Sequence, residues 1–171
     1  MINRIEIKWN IKQLPVPRIN SNFLHSFYDP VSEGEKLANR FVTENPETKN
    51  ILVMGLGFAY HIRPLLAGDN NVFVYEPEDD LVELYKSIEN SKEVLDKLIF
   101  VKSAEDIPVA EYGIFVLKSE ERIYKKEFTS FFEKPLFQQT RLFCGGTHSE
   151  IRILLVTPIY GGSLTTANYL E

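Results

Sequence analysis

A turn with two glycines directly after an apolar run is the strongest candidate for binding chemistry in this chain. Glycine adopts positive φ angles and has no side chain, so the turn can be sharp and a ligand can approach the backbone closely. A helix predicted to follow the turn would present unpaired N–H groups, which attract phosphate, carboxylate or ribose. The candidate ligand contacts in this segment are Gly55, Leu56, Gly57, Phe58, Tyr60 and His61. We therefore predict a small-molecule, nucleotide-type ligand at this turn.

A carboxylate at the end of the next apolar run supplies the second half of a nucleoside site. Glu76 lies 21 residues after Gly55, directly after the run 72–75. An acidic side chain in this position can accept hydrogen bonds from both ribose hydroxyls. The competing interpretation is that Glu76 only caps a helix beginning near Glu78. Of the two interpretations, we favour ligand contact.

The sequence departs from two familiar cofactor-binding patterns. Tyr60 stands where the dinucleotide fingerprint has its third glycine, which weakens a nicotinamide or flavin interpretation. Met54 and Ser103 stand where S-adenosylmethionine-dependent methyltransferases usually carry acidic residues. Ser103 and Glu105 are candidate contacts to a base amino group, with a solvated loop as the alternative. The cofactor is therefore left open between a sugar nucleotide, S-adenosylmethionine and another nucleotide.

The composition argues against several classes of partner. The 24 acidic residues outnumber the 19 basic ones and give a formal charge of -5, so no basic field attracts nucleic acid. No uncharged stretch approaches the ~18 residues that span a bilayer, and residues 1–10 lack the pattern of a signal peptide. Cys144 is the only cysteine, and the histidines show no metal-ligand spacing. We expect a cytoplasmic protein with no metal site.

Short apolar runs alternate with helical patterns through the middle of the chain. The predicted strands cover residues 51–54, 72–75, 99–101 and 114–117, with a fifth near 140–144. The predicted helices cover residues 60–67, 79–88 and 120–132. Because parallel neighbouring strands need crossover connections, which helices supply, this alternation predicts a doubly wound, mostly parallel α/β sheet of the Rossmann type. We assign this nucleotide-binding domain to residues 49–146.

The N-terminal residues 1–48 form a predicted appendage to this domain. Residues 5–11 alternate apolar and polar side chains, which is typical of a half-buried strand in a hairpin or at an edge. Asp29 followed by Pro30 is a helix-start signal, and one apolar face then predicts a helix over 30–43. The appendage should therefore contain a β hairpin and one helix.

Two segments together resemble a known domain. The first is His25-Ser26-Phe27-Tyr28-Asp29-Pro30-Val31-Ser32-Glu33-Gly34-Glu35-Lys36. The second consists of Gly55-Leu56-Gly57-Phe58-Ala59-Tyr60-His61 together with Tyr75-Glu76-Pro77. They are similar to the domain shared by bacterial motility accessory factor (Maf) proteins and archaeal MptE-like pterin diphosphokinases, over roughly residues 21–144. The resemblance implies a methyltransferase-like Rossmann fold and a ligand bearing a nucleotide or diphosphate. It adds four candidate site residues, which are Ser26, Tyr28, Asp29 and Glu33.

The end of the chain resembles a different class of enzyme. After the apolar run 151–156 comes Thr157-Pro158-Ile159-Tyr160-Gly161-Gly162-Ser163. The segment is similar to the opening of a two-Rossmann glycosyltransferase, including spore-maturation CgeB-like proteins, in which this loop faces the sugar-nucleotide cleft. We expect residues 147–171 to begin a C-terminal glycosyltransferase domain that the chain, as a truncated piece, does not complete.

Several functions are compatible with these observations, because one Rossmann framework hosts many chemistries. The favoured one is a nucleotide-type ligand-binding module of a glycosyltransferase that acts on glycans or protein. The alternative is an S-adenosylmethionine-dependent methyltransferase. MptE-like diphosphate transfer and a non-catalytic structural module are the further alternatives. In each catalytic case the protein is a transferase, and the sequence assigns no catalytic residue.

Overall fold

The computed structural model describes residues 4–108, 110–133, 142–144 and 151–154. The N-terminal part of this region is an antiparallel sheet of three strands, β1 (Ile5–Trp9), β2 (Pro15–Ile19) and β3 (Asn22–Phe23). The pairing of β1 with β2 confirms the predicted hairpin. Ile19 is fully buried in the main hydrophobic core, so this sheet packs onto the rest of the protein.

Helix α1 spans Pro30–Glu44, one residue longer than the predicted helix 30–43. Asp29 is its N-cap, because the Asp29 carboxylate accepts a hydrogen bond from Ser32 N at 3.3 Å. The helix packs very closely on the chain that follows the glycine turn. A Cβ atom built on Gly34 would lie 2.4 Å from the backbone C and O of Tyr60. Only glycine therefore fits at this contact.

Within the described residues, the central sheet has six strands in the order β6-β5-β4-β7-β9-β8. The parallel strands are β4 (Asn50–Met54), β5 (Asn71–Tyr75), β6 (Leu98–Val101) and β7 (Glu111–Val116). Two antiparallel strands, β8 (Leu142–Cys144) and β9 (Ile151–Leu154), extend the sheet beyond β7. The predicted doubly wound, mostly parallel Rossmann-like sheet is confirmed.

Strand β4 is the centre of the core and the point where the strand order reverses. Its residues Ile51, Leu52, Val53 and Met54 are at most 1% exposed, as expected for a parallel strand covered on both faces. Strands β5 and β6 lie on one side of β4, and β7 lies on the other. In open α/β sheets, ligands bind outside the carboxyl ends of the strands at this reversal. The glycine turn directly follows β4 and therefore lies at the expected position.

The helices of the domain match the prediction only in part. The predicted helix 79–88 is confirmed as α2 (Asp79–Ile88), whereas α3 (Lys92–Lys97) was not predicted. In place of one helix over 120–132, the structure has the short α4 (Lys118–Glu121) followed by α5 (Lys125–Phe132).

The predicted helix over 60–67 is wrong. The chain makes turns after the glycines and then a 3-10 helix at Arg63–Ala67. Ala59 has a φ of 59°, a left-handed conformation through which a right-handed helix cannot continue. Pro64 also lacks the N–H that a helix interior needs. No α-helix therefore begins directly after the glycine turn, contrary to the sequence-based expectation.

Strand β9 falls in the segment expected to open a following domain. Here it pairs with β7 of the central sheet. The other residues of 147–171 lie outside the described region, so the proposed glycosyltransferase-like domain stays a prediction. In the part of the chain that is described, no helix is both long and apolar enough to cross a membrane.

Candidate functional site

The glycine turn, residues 55–57, has a backbone conformation that favours glycine at both ends. The φ angle is 102° at Gly55 and 55° at Gly57, in the left-handed region that penalises side chains. Gly55 N donates a hydrogen bond to Tyr75 O at 2.9 Å, which ties the turn to the end of β5. The sharp turn expected from the sequence is confirmed.

Glu76 is directed into the glycine turn. Its side chain is buried, its Oε2 accepts a hydrogen bond from Leu56 N at 2.9 Å, and its Oε1 accepts one from Glu78 N at 3.0 Å. The carboxylate therefore joins the turn, as the ligand interpretation requires, and also contacts the backbone near α2, as the capping interpretation requires. Contact between Glu76 and a ligand stays a prediction.

Glu120, which the sequence analysis did not single out, is a second carboxyl group at the turn. It is fully buried, and its Oε1 accepts a hydrogen bond from Gly57 N at 2.5 Å. A Cβ atom on Gly55 would lie 2.8 Å from Oε2 of Glu120, so this glycine makes room for the carboxyl group. No sequence signal indicates this role, because the run Lys-Ser-Glu-Glu in α4 is typical of a solvent-facing helix.

The carboxyl groups of Glu76 and Glu120 share a proton. Burial raises the pKa of both groups, and the neighbouring Glu76 raises the pKa of Glu120 further, to well above its usual range. Two buried carboxylates in contact cannot both be ionised without a large electrostatic cost. Glu76 accepts two backbone N–H groups, whereas Oε2 of Glu120 finds no donor among the described residues. The proton therefore resides on Glu120.

The turn is thus closed by side chains of the protein itself. Leu56 N donates to Glu76, and Gly57 N donates to Glu120. Two backbone donors that the sequence analysis assigned to a ligand already have acceptors. Among the residues described, no group of three or more His, Cys, Asp and Glu side chains could hold a metal ion.

His61 satisfies the carbonyl group of the same turn. It is fully buried, with Nε2 at 3.2 Å from Gly55 O and Nδ1 at 3.3 Å from Nε2 of His25. A carbonyl oxygen can only accept, so Nε2 of His61 carries the hydrogen and its Nδ1 accepts from His25. Burial, and then the charge of His25, lower the pKa of His61 well below its usual range. His61 is therefore neutral.

His25 and Glu33 continue this network towards solvent. Nδ1 of His25 lies 3.0 Å from Oε2 of Glu33, which also accepts a hydrogen bond from Ser26 N at 2.7 Å. With Nε2 of His25 directed at His61, its Nδ1 faces the carboxylate of Glu33. Burial acts to raise the pKa of Glu33, but the bonds from His25 and Ser26 outweigh burial and lower it. His25 and Glu33 are therefore joined by a hydrogen bond at the outer end of the network.

The network also explains why position 57 needs glycine. A Cβ atom on Gly57 would lie 2.3 Å from Nε2 of His25 and 2.9 Å from Cδ2 of Leu117. From the sequence alone, this glycine is expected to permit close approach of a ligand. The packed histidine ring is by itself a sufficient reason.

The other residues predicted to contact a ligand lie in different environments. Phe58 and Tyr60 are buried in the core, and the Tyr60 hydroxyl donates to Pro15 O at 2.9 Å. Tyr28 is 82% exposed, and Asp29 caps α1. Of the four residues that the Maf resemblance added, the structure joins Ser26 and Glu33 to the histidine network. Asp29 caps the helix, and Tyr28 O accepts a hydrogen bond from Asn10 Nδ2 at 3.5 Å.

Ser103 and Glu105 lie in the segment directly after β6. Ser103 N and its hydroxyl both donate to Asp106, so this segment forms a capped 3-10 turn. Ser103 lines a shallow cavity of about 370 Å³ together with Tyr75 and Lys126. Glu105 is exposed in the same turn. A role of either residue in base recognition stays a prediction.

Two solved structures have a similar architecture. One, a spermidine synthase in complex with the transition state analogue AdoDATO, has a TM-score of 0.51 and 20% identity over 60% of this chain and 37% of that one. The other, a spermidine synthase from Thermotoga maritima, has a TM-score of 0.51 and 22% identity over 61% of this chain and 39% of that one. The match thus spans well under half of either synthase. No protein-family model and no curated protein matches the sequence. At this identity the likeness concerns the fold, and the chain has a methyltransferase-like Rossmann fold.

Proposed function

We propose that this chain binds an adenosyl compound of the S-adenosylmethionine class at the glycine turn, as part of a transferase. The observation that carries the proposal is the contact between Glu76 Oε2 and Leu56 N at 2.9 Å. It brings a buried carboxylate, the group that accepts hydrogen bonds from a ribose diol, directly onto the turn at the sheet's reversal point.

Glu120 indicates which part of the ligand meets the second amide. Its Oε1 is the acceptor for Gly57 N, so it stands in for an acceptor that a ligand would bring. S-adenosylmethionine offers a carboxylate for this position and ribose hydroxyls as donors for Glu76. In the proposed complex the Glu120 carboxyl leaves the turn, and the ribose donors replace the proton that it shares with Glu76.

The same carboxyl groups disfavour a sugar nucleotide at the turn. A diphosphate on these amides would bring at least two negative charges against the buried carboxylate of Glu76, and like charges in a poorly solvated site repel strongly. S-adenosylmethionine brings one carboxylate, whose charge its own sulfonium and ammonium groups offset. The fold also supports the adenosyl proposal, since one similar structure is a spermidine synthase in complex with AdoDATO. The glycosyltransferase association rests on residues 147–171 and stays a separate prediction.

A second candidate is a structural module that binds no nucleotide. It is favoured by the fact that Leu56 N and Gly57 N already have protein acceptors. Against it stands the carboxyl pair itself. A purely structural contact gains nothing from a second buried carboxyl group, and strongly shifted pKa values cluster at functional sites.

The test is a thermal-shift and calorimetry panel with S-adenosylmethionine, S-adenosylhomocysteine, a nucleotide sugar and a purine nucleotide. A ligand at about 100 times its Kd adds roughly 2.7 kcal/mol to stability, or about 5–10 °C in Tm for a domain of this size. We expect stabilisation by the adenosyl compounds only. Stabilisation by the nucleotide sugar alone would support the glycosyltransferase module instead.

Glu120→Ala extends the panel, and Glu121→Ala is its matched control. The first change frees Gly57 N, because the hydrogen bond from this amide to Glu120 no longer has to be broken before a ligand binds. We therefore expect adenosyl compounds to bind about tenfold more tightly. Glu121 is in the same helix but pairs with Lys118 at the surface, so its removal should leave affinity unchanged. A flat panel for the parent protein and for Glu120→Ala would reject ligand binding and leave the structural module.

A further inference from the structure

A cavity of about 360 Å³ opens beside the end of β7, and no part of the proposed adenosyl site accounts for it. Its walls come from β7 and the residues after it, from the segment after β3 and from α1. The residues that matter for its chemistry are Leu24, His25, Glu33, Leu37, Leu117 and Ser119. The volume is within the range of small-molecule pockets, ~300–1,000 Å³.

The cavity lies where open α/β sheets bind ligands. The strand order reverses at β4, and β7 is the first strand on the other side. Ligand crevices form outside the carboxyl ends of the strands at this reversal. Leu117 directly follows β7 and lines the cavity, while its side chain also approaches Gly57 of the turn. The cavity and the glycine turn are therefore neighbours.

Glu33 provides a fixed acceptor in this otherwise largely apolar cavity. Its Oε2 is taken by His25 and Ser26 N, and its Oε1 accepts no hydrogen bond from the described residues. The Glu33 side chain is 39% exposed, so Oε1 can meet a ligand, whereas the His25 ring beneath it is buried. The buried histidines hold this carboxylate in one orientation.

The charged side chains that line the cavity already have partners. Oε2 of Glu33 lies 3.0 Å from Nδ1 of His25. Lys118 also lines the cavity, but its ammonium group pairs with Glu121 at 2.8 Å. An ionic ligand would therefore gain little net attraction. A neutral hydroxyl group would gain a strong hydrogen bond to a carboxylate oxygen.

We propose that this cavity binds a neutral small molecule with an apolar body and a hydroxyl head group, anchored by Glu33 Oε1. The leucine side chains hold the apolar body, and the carboxylate accepts from the hydroxyl. The cavity adjoins the glycine turn, which makes its ligand the acceptor substrate of the transfer. This last role rests on the proposed function, whereas the binding site itself does not.

The test titrates the full chain with 1-hexanol, hexylammonium and hexanoate, without any adenosyl compound, and follows backbone amide shifts by NMR. We expect 1-hexanol to bind saturably, with the shifts centred on Leu24, Leu117 and Ser119. The two ionic probes should bind at least about tenfold more weakly, a difference of about 1.4 kcal/mol. Equal binding of an ionic probe, or shifts centred elsewhere, would overturn the proposal.

Glu33→Gln and Glu35→Gln form a matched pair on helix α1. The first should weaken 1-hexanol about tenfold, because a hydrogen bond to a charged acceptor becomes a neutral one. The second changes an exposed residue outside the cavity and should leave the affinity unchanged. If Glu33→Gln does not fold, Leu37→Phe provides the same test by narrowing the cavity. Unchanged affinity in the folded variant would refute the site.

The outcomes separate this proposal from the adenosyl one. Binding of 1-hexanol without any adenosyl binding would keep the cavity as a site and remove its role in transfer. Adenosyl binding with no saturable 1-hexanol binding would keep the proposed function and reject the cavity as a site for this class of ligand.

Discussion

Replacing Glu120 by glutamine removes the shared proton of the carboxyl pair with little change in shape. The glutamine oxygen can still accept from Gly57 N, and its amide can donate to Glu76 in place of the proton. Burial and the neighbouring carboxylate raise the pKa of Glu120 in the folded protein well above the value of 4.5 for a free glutamate. The folded chain therefore binds a proton that the unfolded chain releases above this value.

The sign of the pH effect follows from this difference. The stability that the proton provides is fully present below pH 4.5 and is lost as the pH rises towards the folded-state pKa. Between these two pKa values, each unit of pH rise lowers the free energy of unfolding by about 1.4 kcal/mol, which is about 2.7 kcal/mol over two units. Glu120→Gln lacks this dependence, so its advantage over the parent protein should grow as the pH rises.

Urea unfolding at several pH values between 5 and 8 measures the difference, with far-UV circular dichroism as the signal. The single tryptophan, Trp9, is 53% exposed in β1 and is a poor reporter of the core. The titration of Glu76 changes together with Glu120 and is part of the measured difference, whereas the remaining titrating groups are common to both proteins and their effects cancel. Glu121→Gln alters only a surface ion pair and should follow the parent protein within about 0.5 kcal/mol. Parallel pH profiles for Glu120→Gln and the parent would refute the shared proton.

Gly34→Ala should destabilise the fold by about 1–3 kcal/mol, because the alanine Cβ would overlap the backbone of Tyr60. This loss is expected even though alanine has a helix propensity about 1 kcal/mol better than that of glycine. Both variants are measured by chemical unfolding, and Gly68→Ala is the control because its Cβ would meet only a flexible side chain. An equal loss of stability in the two variants would contradict the close contact between α1 and Tyr60. His61→Phe should lower the free energy of unfolding by about 1–3 kcal/mol, because Gly55 O and His25 lose their hydrogen-bond partner. Faster hydrogen exchange of the nearby buried amides is the second readout. The lowered pKa of Glu33 provides stability above pH 4.5 that is lost as the pH falls through its folded value. Glu33→Gln should therefore flatten the acid limb of the unfolding profile, and an unchanged limb would show that the contacts with His25 and Ser26 do not lower this pKa.

Much of the architecture could be predicted because it depends on local patterns. Four apolar runs separated by helical patterns are sufficient to indicate parallel strands, and the structure has them as β4 to β7. Helix α2 was predicted with its observed bounds, Asp79–Ile88, because its apolar face repeats clearly. The α-helix expected over 60–67 is replaced by turns and a 3-10 helix at Arg63–Ala67, and Pro64 lacks the N–H that an α-helix interior needs.

The candidate site shows the same division between local pattern and tertiary packing. Residue type and spacing were sufficient to bring the glycine turn and Glu76 together, because the carboxyl ends of neighbouring parallel strands meet at one edge of a sheet. They could not reveal that Glu120 reaches Gly57 N across 63 positions of sequence, or that His25 packs on that glycine. Those contacts depend on how α4 and the segment before α1 pack against the turn. The sequence therefore determined where the site lies, whereas only tertiary packing decided that buried carboxyl and imidazole groups of the chain occupy it.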